Sequence, residues 1–81
     1  MEKSEFLTRI DELLELGPGT LRGSEFLQAT GWDSLSVIGF MALCDEQFAL
    51  QVSPVEIRSC ETPDDLFALV QNSLATAKRG R

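Results

Sequence analysis

Three prolines stand where apolar residues stop or start recurring at helical spacing in this chain of 81 residues. Gly17-Pro18-Gly19 ends the first such segment, because proline cannot extend a helix and glycine accepts the left-handed backbone that closes one. Ser53-Pro54 and Thr62-Pro63 each place a hydroxyl before a proline, and proline is favoured at the first position of a helix. The prolines therefore predict sharply bounded helices, and because the chain offers no credible pair of strands, the predicted class is all-α.

The first predicted helix is amphipathic and runs from Glu5 to Leu16. Ser4 is its expected N-cap, and Gly17 is its expected left-handed C-cap. Its polar face holds three acidic residues, Asp11, Glu12 and Glu15. The second predicted helix runs from Ser34 to about Ala49 and is examined below.

The third and fourth predicted helices begin at capping boxes. Ser53 caps the third helix with Glu56 at N3, and this helix can last only until Thr62. Thr62 caps the fourth helix with Asp65 at N3. Residues 75–81 carry no apolar stripe, so we expect them to fray into solvent.

A long connection separates the first two helices and reaches about Gly31. It contains four large apolar side chains, Leu21, Phe26, Leu27 and Trp32. A freely solvated loop would not carry so many, so we expect them to pin the loop against the helices, with a short helical turn at residues 24–28. The chain thus predicts a four-helix bundle with a short third helix and a long loop between helices one and two.

The second predicted helix carries two apolar stripes. One comprises Leu35, Ile38, Met41 and Ala42, and the other comprises Val37, Phe40, Cys44 and Phe48. A helix that is apolar over so much of its circumference is expected to contact several neighbours and to be central to the bundle. Gly39 lowers helix propensity, which suggests that the first helix or a partner protein approaches closely there.

Composition excludes several classes of function. The chain has no His, and Cys44 and Cys60 are too few and too far apart for a redox pair or a zinc site. We therefore expect no metal and no catalytic triad, and two free thiols in a reducing cytoplasm. Because no long apolar run is present, we expect neither a signal peptide nor a membrane partner.

Charge indicates the type of partner. The net charge is −6, and residues 1–77 place four cations against all thirteen carboxylates, because the other three cations lie in residues 78–81. We expect no nucleic-acid partner, since such binding depends on cationic side chains. This charge distribution predicts one acidic domain, residues 1–77, that attracts proteins with basic patches. It also predicts a solvated basic tail, residues 78–81.

One segment points to covalent chemistry, Gly31-Trp32-Asp33-Ser34-Leu35 at the start of the second helix. A hydroxyl there lies beside unpaired backbone amides and the positive end of the helix dipole, which favour a phosphate ester. The chain has no His and no obvious buried Lys to activate Ser34 as a nucleophile, so this serine suits an attachment point better than a catalyst. The alternative is that Asp33 or Ser34 simply caps the helix.

At these residues the chain resembles the acyl carrier protein family, and the resemblance extends from the first helix to Leu74. The family pattern is a helix, a long loop, Asp-Ser-Leu opening a central helix, a short third helix and a fourth helix opened by a Thr-containing turn. The matching segments are residues 31–35, Asp45-Glu46-Gln47-Phe48 and Glu61-Thr62-Pro63-Asp64-Asp65-Leu66. The resemblance implies that Ser34 carries 4′-phosphopantetheine, installed from coenzyme A by a phosphopantetheinyl transferase, and that the protein is not an enzyme.

The resemblance also implies a role and a set of partners. A cytoplasmic monomer would hold acyl groups as thioesters and deliver them to enzymes of fatty-acid, polyketide or specialised lipid biosynthesis. Docking to these enzymes would involve Asp33, Leu35, Asp45, Glu46 and Glu56. In related carriers the acyl chain retreats into the bundle, and the corresponding lining here would be Met41, Cys44, Phe48, Ile57 and Leu66. The same five residues are also typical of a plain hydrophobic core.

The chain departs from fatty-acid carriers on the predicted central helix. Gly39 and Phe40 stand where those carriers continue an acidic face. The acidic residues that remain are Asp45, Glu46 and Glu56. Trp32 before Asp33 and Ser36 after Leu35 are more typical of stand-alone carriers of specialised pathways. Two alternatives remain: a peptidyl carrier loaded with an amino acid, which the acidic charge slightly disfavours, and an unmodified helical module whose apolar groove binds a partner helix.

Overall fold

Four α-helices and one short 3₁₀ helix form the regular structure of the part of the chain that is described. The structure is a computed structural model that describes the backbone of residues 1–79 and the side chains of residues 1–76. The helices are α1 (Lys3–Leu13), the 3₁₀ helix (Leu27–Thr30), α2 (Ser34–Phe48), α3 (Pro54–Arg58) and α4 (Pro63–Arg79). The predicted all-α class, with a short third helix and a long loop after the first, is confirmed for residues 1–79.

Helix α1 begins and ends earlier than the sequence predicts. Glu2 occupies the N-cap position, so the prediction that Ser4 caps this helix is wrong. Ser4 lies within the first turn, where its carbonyl oxygen accepts from the Thr8 hydroxyl at 3.0 Å. At the other end Glu15 adopts the left-handed backbone, with φ of 59°, in place of the predicted Gly17.

Asp11 explains why the chain leaves α1 early. Its carboxylate is only 1% exposed and accepts from the backbone N–H groups of Gly19 and Leu21, each at 3.0 Å. Its carbonyl oxygen accepts from the N–H of Leu16 at 2.8 Å, which closes the helix end in the manner of a Schellman motif. The prediction that Asp11 belongs to a polar outer face is therefore wrong. Asp11 is the buried anchor of the following loop.

Two leucines hold that loop against the helices, as predicted. Leu21 and Leu27 are buried, at 4% and 2% exposure. The backbone N–H of Leu27 also donates to the carbonyl oxygen of Glu61 at 2.8 Å. This bond ties the 3₁₀ helix to the turn between α3 and α4.

Phe26 does not pin the loop, contrary to prediction, because its side chain is 66% exposed. The helical turn also starts later than the predicted residues 24–28. The Glu25 carboxylate accepts from the N–H groups of Arg22 and Gly23, each at 2.8 Å, and this bend precedes the 3₁₀ helix. These bonds, the one from Gly23 foremost, lower the pKa of Glu25.

The bundle covers one apolar stripe of α2 more fully than the other. Val37, Phe40 and Cys44 are buried, whereas Leu35 and Ile38 are 75% and 62% exposed. The prediction that this helix contacts several neighbours is confirmed, since α2 packs against both α1 and α3, but part of its apolar surface is open to water.

Gly39 marks the closest approach of α1 to α2. A Cβ atom at this position would stand 2.5 Å from the Leu13 Cδ1 atom, which is shorter than any ordinary contact. Of the two predicted causes for this glycine, the packing of the first helix is the one that the structure shows.

The core combines apolar side chains from all four α-helices. Its fully buried members are Phe6 and Ile10 of α1, Phe40 and Cys44 of α2, Ile57 of α3, and Leu66 and Val70 of α4. The Phe6 ring meets the Phe40 and Phe67 rings edge to face, with centroids 6.1 and 5.1 Å apart.

The starts of α3 and α4 follow the sequence signals closely. Ser53 caps α3 and accepts from the N–H of Val55 at 3.2 Å, although the described contacts include no reciprocal bond from Glu56. Thr62 and Asp65 form the predicted capping box, with side-chain to backbone bonds of 3.2 Å in each direction.

Helix α4 continues past the predicted fraying point to Arg79. The prediction for residues 75–81 is therefore wrong for the backbone of residues 75–79. Of the predicted basic tail, residues 80–81 and all side chains of residues 78–81 lie outside the described part of the structure. Within residues 1–79 no helix is both long and apolar enough to span a membrane.

Candidate attachment site at the start of α2

The first turn of α2 is capped by Asp33 and Ser36. The Asp33 Oδ1 atom accepts from the backbone N–H of Ser36 at 3.1 Å, and the Ser36 hydroxyl oxygen accepts from the N–H of Asp33 at 3.2 Å. The two residues form a capping box, in which each side chain satisfies the backbone N–H of the other. Of the two candidate caps that the sequence offers, Asp33 is the cap and Ser34 is not.

Ser34 is the first residue of α2, and its side chain is exposed. Within the described residues, the hydrogen bonds of this turn engage Asp33 and Ser36 and leave out the Ser34 hydroxyl. The backbone N–H groups of the first turn lie beside it, at the positive end of the helix dipole. The hydroxyl is thus accessible to a modifying enzyme and sits where a phosphate ester is stabilised.

A cleft of about 760 Å³ opens beside Ser34. It lies between the 3₁₀ helix, the start of α2 and the turn from α3 to α4. Its lining includes Phe26, Trp32, Ser34, Arg58, Cys60 and Glu61. The Trp32 indole is half-buried and meets the Phe40 ring edge to face, with centroids 6.1 Å apart. The cleft therefore has one firmly packed aromatic wall.

The five predicted docking residues are all exposed, but they do not form one cluster. Asp33 and Leu35 flank Ser34, whereas Asp45 and Glu46 lie in the last turn of α2. The fifth, Glu56, lies on α3. A partner must therefore cover the length of α2 to contact all of them.

The apolar interruption of the acidic face consists of different residues from those predicted. Gly39 packs against Leu13, and Phe40 is buried in the core, so neither belongs to the outer face. Ile38 and Ala42 are exposed and stand between Ser34 and the terminal carboxylates. The outer face of α2 is thus apolar in its middle and acidic at its end.

The predicted acyl lining does not form one chamber. Cys44, Ile57 and Leu66 are fully buried in the core, and Met41 and Phe48 are half-buried. None of these five residues lines the cleft beside Ser34. Met41 borders a separate cleft of about 570 Å³ with Ala42, Asp45 and Leu50. Their burial supports the interpretation that these residues belong to a plain hydrophobic core.

Both cysteines are free thiols with a raised pKa. Burial raises the pKa of Cys44 to about 11. Burial, followed by the carboxylates of Asp65 and Glu56, raises the pKa of Cys60 to about 11. Both thiols are therefore protonated at neutral pH, including the one in the cleft. Among the described residues no group of three His, Cys, Asp or Glu side chains is placed to hold a metal ion.

We predict that Cys60 resists alkylation until the pH is well above neutral. In a Cys44→Ala variant at pH 7.5, iodoacetamide should modify Cys60 roughly tenfold more slowly in the folded protein than in the urea-unfolded protein. The higher pKa lowers the fraction of Cys60 that is thiolate, and this effect outweighs the greater nucleophilicity of each thiolate. A raised pKa moves thiolate formation upward, so the folded-state rate should rise with a midpoint near pH 11, against about 9 for the unfolded chain. Coincident pH profiles would contradict the raised pKa.

Comparisons of the chain with protein-family models, curated proteins and solved structures return no match. The functional argument therefore depends on the residues and geometry described above. The sequence indicated Ser34 and its neighbours as a candidate site. It did not predict Phe26, Arg58 and Cys60 as cleft residues, because only the packing of distant segments brings them to Ser34.

Proposed function

We propose that this chain is a carrier domain of the acyl carrier protein type. It holds acyl groups as thioesters on a 4′-phosphopantetheine arm attached to Ser34. The observation that carries the proposal is the state of the Ser34 hydroxyl, which is exposed at the first residue of α2 while Asp33 and Ser36 perform the capping. A serine kept free of the local hydrogen-bond network at a helix start is suited to attachment.

The chain's own residues prepare the site rather than perform the chemistry. Ser34 supplies the oxygen of the new phosphodiester bond, and the serine proton passes to a base on the separate transferase. The pyrophosphate bond of coenzyme A breaks, and adenosine 3′,5′-bisphosphate leaves. The first-turn amides and the helix dipole stabilise the added negative charge. When bound, the arm supplies a thiol that forms thioesters. The 760 Å³ cleft beside Ser34 leaves space for a bulky group on that side.

Partner recognition combines apolar and electrostatic contacts. Leu35 and Ile38 are 75% and 62% exposed beside the attachment serine. Asp45 and Glu46 add two carboxylates at the far end of the same helix. We expect transferases and acyl-processing enzymes to present an apolar surface with cationic side chains at one side. Attraction between these cations and the carboxylates should speed association at low salt.

A second candidate function is an unmodified interaction module, which the exposed Leu35 and Ile38 side chains favour. Such patches on soluble proteins mark binding sites for partners. This alternative requires no modification of Ser34. The two candidates therefore differ in one measurable property, the covalent state of that serine.

The deciding experiment is modification of the folded protein by a phosphopantetheinyl transferase of broad specificity. Incubation with coenzyme A should raise the intact mass by one phosphopantetheine, and peptide mapping should place the added mass on Ser34. Circular dichroism of the same sample should show that the helices are intact. Absence of any mass increase in the folded protein, or an addition at another serine, would reject the carrier function.

A further inference from the structure

The cleft beside Ser34 contains a combination of side chains that the proposed attachment does not explain. Arg58, the last residue of α3, is the cation in its lining. It forms no ion pair with any side chain that the structure describes. Phe26 borders the same cleft although it is 66% exposed to water.

These groups complement the chemistry of a pantetheine arm. The arm begins with a phosphodiester anion, continues with a geminal dimethyl group and a hydroxyl, and ends with two amides and a thiol. A guanidinium pairs well with a phosphate anion. The aromatic faces of Phe26 and Trp32 suit the dimethyl group, and covering an exposed phenyl ring is favourable. The lining thus offers a partner for the charged part and a partner for the apolar part of the arm.

We propose that the cleft between the 3₁₀ helix, the start of α2 and the α3–α4 turn is a resting site for the pantetheine arm itself. Arg58 contacts the phosphodiester, and Phe26 and Trp32 enclose the dimethyl group. This inference depends on the proposed attachment at Ser34. It adds a defined position for the arm and three residues that hold it, on the side of Ser34 away from the apolar outer face of α2.

A tethered ligand needs only weak contacts to occupy such a site. A short flexible tether gives an effective concentration of about 1 mM or more, so an intrinsic Kd of about 1 mM places the arm in the cleft about half of the time. Partial occupancy leaves the arm free to visit partner enzymes. The raised pKa of Cys60 keeps the neighbouring thiol protonated, which limits its attack on a thioester held in the same cleft.

Trp32 provides a direct probe, because it is the single Trp of the chain and lines the cleft. Acrylamide quenching of its fluorescence should be measured before and after attachment of the unacylated arm, with attachment verified by mass. We expect the quenching constant to fall about twofold on attachment, in line with half-occupancy of the cleft. Each variant below is compared with its own unmodified form, which removes any effect of the substitution on the bare protein.

Two variants should abolish the change, and two matched variants should retain it. Phe26→Ala and Arg58→Ala remove the proposed contacts, so attachment should no longer protect Trp32. Val55→Ala removes a 72% exposed apolar side chain outside the cleft lining, and Arg22→Ala removes an exposed arginine outside it. Both of these controls should behave like the original protein. Arg58→Lys should restore part of the protection, because it keeps the charge.

The outcomes separate this inference from the carrier function. Complete attachment with an unchanged quenching constant would overturn the resting site and leave the carrier function standing. A protection that survives both Phe26→Ala and Arg58→Ala would also overturn it, since the arm would then lie elsewhere. Failure of attachment to the folded protein would overturn both.

Discussion

Ser34→Ala should take up no phosphopantetheine while remaining as stable as the original protein. The substitution removes the only oxygen that the proposed attachment uses. Because the Ser34 side chain is exposed and the capping bonds belong to Asp33 and Ser36, the free energy of unfolding should change by less than about 0.5 kcal/mol. Intact mass after incubation with the transferase and urea denaturation measure the two properties independently.

Two other serines provide matched controls for this loss. Ser59→Ala removes an exposed hydroxyl from the same cleft, where it donates to the Glu56 carbonyl oxygen at 2.7 Å, and this variant should load fully. Ser36→Ala breaks the capping box two residues from Ser34 and should cost about 1 kcal/mol, yet the folded fraction should still load. Loading of Ser34→Ala, or failure of folded Ser59→Ala to load, would contradict the assignment of Ser34.

The starts of α3 and α4 could be predicted because their chemistry is local. Ser53 before Pro54 and Thr62 before Pro63 each supply a side-chain oxygen within three residues of the N–H that it accepts from. A proline at the first helical position adds a fixed φ at each start. Such signals depend on neighbours in sequence, and the structure retains both.

The end of α1 could not be predicted because it depends on contacts across a loop. Gly17 carries the ordinary stop signal, but Glu15 takes the left-handed position. The deciding interactions are those of Asp11 with Gly19 and Leu21, eight and ten residues further along the chain. An acidic residue in an amphipathic pattern favours a solvated position, and nothing in its neighbours indicates burial.

The candidate site shows the same division between local and distant determinants. Asp33-Ser34-Leu35 is a contiguous motif, so sequence alone was enough to select Ser34 as the candidate attachment residue. The assignment of the cap to Asp33 required the geometry of the Ser36 side chain. The cleft required the bond from the Leu27 N–H to the Glu61 carbonyl oxygen, which brings residues far apart in sequence to one place.

Removing the buried carboxylate of Asp11 should produce the largest loss of stability among the substitutions considered. In Asp11→Asn one side-chain oxygen is replaced by an amide NH₂, which faces a backbone N–H that needs an acceptor. Each hydrogen bond to the charged group contributes roughly 1.5 to 3 kcal/mol, so the free energy of unfolding should fall by about 2 kcal/mol in Asp11→Asn. In Asp11→Ala both N–H groups lose their acceptor, and the loss should be about 4 kcal/mol.

The neighbouring Glu12→Gln variant is the matched control for Asp11→Asn, because it makes the same chemical change on the exposed side of α1. The exposed Glu12 carboxylate pairs with Arg9, at 3.4 Å between Oε1 and Nη1, so the change should stay within about 0.5 kcal/mol. Urea denaturation midpoints should therefore separate the two variants clearly. Equal midpoints would mean that the Asp11 carboxylate does not anchor the loop. Since that loop leads to the 3₁₀ helix, its loosening in Asp11→Asn should also increase acrylamide quenching of Trp32 before unfolding begins.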